Sequence, residues 1–100
     1  MSSRPEEPSP EELLNALRQM KVSDLLLSTL GTLAQVGYAK LDESVRDLEQ
    51  ARLAIESARA LTDVLDGAVP EDVLRDFRQV VANLQLAYAA AAEKPEKTPS

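Results

Sequence analysis

Four acids, Asp42, Glu49, Glu56 and Asp63, recur every seven residues, and Arg46, Arg52 and Arg59 lie three or four residues from them. On a helix this spacing places the two signs within reach of each other. Asp42–Arg46, Glu49–Arg52, Arg52–Glu56, Glu56–Arg59 and Arg59–Asp63 then form a continuous ladder. Such a face supports two chemistries. It can be a carboxylate-rich site for a cation or a basic partner, or a solvated face that neutralises itself. Each acid has a base in reach, and pairs of this kind contribute little in water, so self-neutralisation is the expectation. The stripe of acids still keeps the capacity to dock a basic surface.

Composition removes most catalytic alternatives. The chain has no histidine, so the usual general base and the commonest metal ligand are missing. The Glu-x-x-His pairs of a di-metal bundle site cannot be built. It has no cysteine, which excludes disulfides, zinc–thiolate centres and a thiol nucleophile. Asp63-Val64-Leu65-Asp66-Gly67 lacks the alternating acids of a calcium loop. Lysine could stand in for histidine beside a serine, but Lys21, Lys40, Lys94 and Lys97 fall at expected helix ends or in the terminal segments. The three glycines form no phosphate cradle. The expectation is a protein that is not an enzyme and has no cofactor and no metal.

The elements that must carry these residues are helices. An apolar seam runs from Leu41 to Ala91 at helical spacing and breaks once, at Asp66-Gly67-Ala68-Val69-Pro70. A first, short helix starts at Ser9-Pro10-Glu11-Glu12, where Ser9 can cap, Pro10 suits the first helical position and Glu12 completes a capping box. Leu13, Leu14, Leu17 and Met20 line one face, and the helix is expected to end near Lys21. A second helix is expected over Asp24 to Gly37, with Leu26, Leu30, Leu33 and Gly37 on one side. Gly37 is a plausible C-cap. Ser28, Gly31, Ala34 and Gly37 form a track of small side chains that lets another helix approach closely, from within the chain or from a second copy.

The third helix is expected from Asp42 to Asp66, about 25 residues and about 37 Å long at the usual rise. Leu41, Leu48, Ile55 and Thr62 repeat at one heptad position and Ser44, Ala51, Ala58 and Leu65 at its pair, with Val45, Leu61 and Val64 broadening the stripe. Gly67 is its stop. The fourth helix starts at Pro70-Glu71-Asp72, with acids where the macrodipole favours them. Its seam is Leu74, Phe77, Val81, Leu84, Tyr88 and Ala91. The short turn makes helices three and four an antiparallel hairpin. Tyr88 continues the seam and reads as a core edge. Tyr38 reads equally as a core edge or an interface anchor. Arg75 and Arg78 fall on the outer side of the fourth helix and read as solvent-exposed. The fold class is therefore all-α, a small helical bundle of three main helices plus a short N-terminal one.

The Pro- and Ser-rich stretch 1–9 and the polar stretch 93–100 cannot bury enough apolar surface to order themselves. The expected organisation is a disordered tail over 1–9, a helical domain over 10–92 and a disordered tail over 93–100. A core of this size is barely sufficient alone, and self-association is a common remedy. The net charge is −6, which disfavours nucleic acid and anionic lipid as direct partners and suits basic ones. No apolar leader is visible at Met1-Ser2-Ser3-Arg4. The most apolar stretch, Leu25 to Ala39, is shorter than the roughly 20 residues of a membrane span. A cytoplasmic location without membrane contact is expected.

Three spaced motifs agree in order with a known pattern. Asp24-Leu25 with Val36-Gly37 forms the first. Leu48-Glu49-Gln50-Ala51-Arg52-Leu53-Ala54-Ile55-Glu56, with Leu61 after it, forms the second. Pro70-Glu71 with Leu84-Gln85-Leu86-Ala87-Tyr88 forms the third. Over Asp24 to Tyr88 the chain resembles the bacterial family known as domain of unknown function 1844. It departs at Glu56, where that family's pattern has aspartate, and at Gln85, where it has arginine. The resemblance implies an all-α bacterial cytoplasmic protein with no assigned activity, and it implies that Gln50, Ala51, Arg52, Ile55 and Tyr88 matter together. Gln50 and Arg52 are expected to cap or bridge to a neighbouring helix across a close contact at Ala51, Ala54 and Ala58. The candidate interaction residues are Gln50, Arg52, Glu56, Arg59 and Tyr88. The expected function is a non-enzymatic interaction module that self-associates into a homo-oligomer. The alternative is an acidic adaptor for a basic protein such as a ribosomal or DNA-binding one.

Overall fold

The computed structural model describes residues 9–93. Over them the chain forms helices α1 (Pro10–Gln19), α2 (Val22–Ala39), α3 (Leu48–Leu65) and α4 (Glu71–Glu93), with a 3-10 turn at Glu43–Val45 and no strand. Helices α2, α3 and α4 pack on one another, and α1 packs on none of them. This is the small all-α bundle that the spacing predicts. The two expected tails lie outside the described residues, except for Ser9, which caps α1, and Glu93, the last residue of α4.

Local chemistry sets each boundary. Ser9 accepts from the Glu12 amide at 3.1 Å, and the Ser9 amide donates to the Glu12 carboxylate at 3.0 Å, closing the expected capping box. Met20 and Lys21 are both extended and separate α1 from α2. At the far end of α3, Gly67 has φ of 86°, a left-handed conformation that glycine adopts without a Cβ clash. The chain reverses there, and α4 returns along α3.

Close approaches fix the directions of the helices. A Cβ placed on Gly31 would lie 4.0 Å from Phe77, and one on Gly37 would lie 2.9 Å from Leu84. Both positions advance together, so α2 and α4 run parallel, with α3 antiparallel between them in sequence. The core near the α3–α4 turn is Leu30, Ala58, Leu65, Leu74 and Val81, with Leu26, Leu27, Leu61, Val69 and Phe77 against it. Towards the other end, Ala34, Gly37, Ala51, Ala54, Ile55, Leu84 and Ala91 are buried. Here α3 presents mainly alanine, so helices meet almost backbone to backbone. Thr62 is buried but satisfied, since its hydroxyl donates to the Arg59 carbonyl at 2.7 Å.

The structure corrects the sequence reading at four places. The third helix begins at Leu48, not Asp42. The Asp42 carboxylate instead accepts from the Ser44 amide and hydroxyl, both at 2.9 Å, which makes a 3-10 turn. The Ser44 amide, then its hydroxyl, hold the Asp42 carboxyl below its ordinary pKa, and the charge of Arg46 adds to this. Asp47, extended at φ −139°, then caps α3 by accepting from the Gln50 amide at 3.2 Å. Gly37 is no cap. The second helix starts two residues early at Val22 and runs on to Ala39, carrying Gly37 in its interior. Val45 and Val64 are each 64% exposed rather than part of the seam. Val45 precedes the helix, and Val64 lies about 120° round the helix from Ala58 at 3.6 residues per turn.

Because Asp47 satisfies one of the free amides of α3, Asp47→Ala is expected to lower the unfolding free energy by about 1 kcal/mol. Urea denaturation measures this, and Asp47→Ser should retain most of the stability.

Candidate interaction surface

The outer face of α3 carries most of the candidate residues. Arg52 donates from Nε to Glu56 Oε2 at 3.0 Å along the same helix face, with both side chains open to solvent. This hydrogen bond raises the Arg52 pKa above its ordinary value, and the negative charges of Glu56 and Glu49 add to the effect. Tyr88 is half-buried on α4. Glu49, Gln50, Arg52, Leu53 and Glu56 line a shallow depression of about 320 Å³. Leu53 is 55% exposed in it.

The expected ladder is mostly absent. Among the described residues, Arg52–Glu56 is its only pair within 4 Å. Asp42 and Arg46 precede the helix, so the ladder loses its first rung. Arg59 is exposed and joins no such pair, and Asp63 turns to α4. Arg78 Nη2, on the third turn of α4, lies 3.8 Å from Asp63 Oδ1 and 3.8 Å from Asp66 Oδ2 at the end of α3, an exposed ion-pair contact across the turn. Helical spacing could not reveal this contact, because it joins residues brought together only by the α3–α4 turn. Gln50 and Arg52 make no side-chain hydrogen bond to a neighbouring helix among the described residues. The close contact beneath them is real: Ala51, Ala54 and Ala58 are buried, and a Cβ on Gly37 would lie 3.4 Å from that of Ala54.

This face offers salt-sensitive contact through Arg52 and Glu56 and apolar contact through Leu53. Among the described residues, no group of three or more carboxylates is arranged to hold a metal ion. The Arg52–Glu56 pair is fully in water and screened there. Arg52→Ala is therefore expected to leave the melting temperature, followed by circular dichroism, within measurement error. A drop of several degrees would instead make the pair a brace of the fold.

A second surface was less visible in the sequence. The apolar face of α1 meets no other helix, and Leu13, Leu14, Leu17 and Met20 are 51%, 47%, 56% and 48% exposed. Their periodicity was legible, but not the absence of a partner within the fold. Among the described residues, no helix is long and apolar enough to cross a membrane. Compared with models of known protein families, with curated proteins and with solved structures, the chain matches none.

Proposed function

We propose that this protein is a non-enzymatic helical interaction module that acts in the cytoplasm by associating with itself. One observation carries the reading: α1 is amphipathic and, among the described residues, packs on no other helix. A helix of ten residues is marginal in water without tertiary packing, so its apolar face calls for cover from outside. The lack of histidine and cysteine supports the non-enzymatic part. The likeness to the bacterial domain of unknown function 1844 family agrees with a small all-α module and belongs to the same proposal.

Sedimentation equilibrium of the full chain tests it. A mass of two or more chains at micromolar concentration is expected, and a monomer at tens of micromolar would overturn it. The acidic adaptor is the second reading. It is favoured by the sparse pairing on α3, which leaves Glu49 exposed and outside any ion pair among the described residues. A stoichiometric basic partner recovered with the protein, and released by salt, would place that reading first.

A further inference from the structure

We infer that α1 is the contact with a second copy of this chain, paired antiparallel about a two-fold axis, with Glu11 of each helix opposite Arg18 of the other. The inference rests on the self-association reading and names its surface and geometry.

The argument starts from the helix wheel. At 100° per residue, Leu13, Leu14 and Leu17 fall within an arc of about 100°, and Met20, the extended residue that ends the helix, follows them in sequence. Each is close to half-exposed, as on a helix alone in water. A partner must therefore offer an apolar stripe of similar width and length. A second α1 does so by construction.

Charge then selects the orientation. Glu11 and Arg18 are seven residues apart, so they share one flank of the stripe. The other flank carries Glu12 and Ala16. In an antiparallel pair about a two-fold axis, like flanks face each other. Glu11 then meets Arg18 of the second copy, and the symmetry makes the same pair again. In a parallel pair, unlike flanks would meet, and the flank opposite Glu11 would offer it no base. Glu12 is moreover committed to the cap on Ser9. Arg18 is not committed, since its only side-chain bond among the described residues is a 3.4 Å contact to Asn15, longer than an ordinary N–H···O bond. Antiparallel helix dipoles add in the same sense.

The surface is also free to be covered. Because α1 packs on no other helix, a second copy can reach it without displacing any part of α2, α3 or α4.

The test uses the full chain and sedimentation. Leu17→Glu is expected to give monomers whose α2–α4 core melts as before. Glu11→Lys and Arg18→Glu, each alone, are expected to raise the dimer dissociation constant several-fold, because each sets like charges across the axis. Mixing these two variants is expected to give a heterodimer tighter than either homodimer, since both pairs again have opposite sign. A wild-type monomer would overturn both this inference and the self-association reading. A wild-type dimer indifferent to Leu17→Glu would overturn this inference alone. Failure of the mixture to pair better than its components would overturn the antiparallel geometry. An independent arm uses the absence of native cysteine: Leu14→Cys, close to the axis, is expected to oxidise to a covalent dimer, and its persistence as a free thiol in an otherwise dimeric protein would count against the axis.

Discussion

Leu84→Ala is expected to lower the unfolding free energy by about 3 kcal/mol. Leu84 is one of the three largest fully buried side chains, with Leu30 and Leu65, and it fills the space between α2 and α4 beneath Gly37. The cost has two parts: the lost transfer of the side chain out of water, and the hole that remains. The hole collapses poorly here. Ala54, which meets the same point, is too short to swing into it, and Gly37 has no side chain at all. A domain of this size has a total stability of about 5–10 kcal/mol, so the change removes a large share of it. Urea denaturation at fixed protein concentration reads it as a shift in midpoint with little change in slope. A loss below about 1 kcal/mol would mean that the alanine-lined end of the bundle closes around the gap after all.

Gly37→Val is expected to cost about 2–3 kcal/mol through the opposite fault, overpacking. A Cβ on Gly37 would sit 2.9 Å from Leu84 Cδ2 and 3.4 Å from the Ala54 Cβ. The leucine end is flexible in principle, but Leu84 is fully enclosed and has nowhere to retreat. The Ala54 methyl has no rotamer to change. Valine adds two further methyl groups to the same contact. Gly37→Ala is the informative control. It removes glycine from a helix interior, which gains about 1 kcal/mol, and this offsets much of the crowding. In a Leu84→Ala background the 2.9 Å clash disappears and only the 3.4 Å approach to Ala54 remains, so the same substitution should become stabilising. Neighbours in direct contact couple in this way. Purely additive effects of Gly37→Ala and Leu84→Ala would show that α2 and α4 do not meet at this point.

The parts of the fold that were legible in the sequence are those written by local rules. Ser9, Pro10 and Glu12 announced α1, Gly67 announced the α3–α4 turn, and Leu74, Val81, Leu84 and Ala91 announced the buried face of α4. The start of α3 was misjudged because Asp42 and Asp47 are both competent caps, and apolar heptad spacing happens to run through the segment between them. The Asp47-x-x-Gln50 spacing was the available signal. Gly37 was misjudged for a different reason. A glycine near a helix end reads as a cap, whereas here its value lies in a contact with Leu84, 47 residues away in sequence. The candidate site fared the same way. Arg52–Glu56 follows a local rule and was legible. The pairing of Asp63 with Arg78 depends on the bundle and was not.

The separation of α1 from the core divides the molecule's cooperativity. Amide protons in α2, α3 and α4 are held by packing and exchange with solvent on the scale of global unfolding. Within a single chain those of α1 are held only by the helix's own turns, and they are expected to exchange by fraying, at a rate indifferent to changes such as Leu84→Ala. Exchange protection in α1 is therefore a direct gauge of how much of the protein has that helix covered.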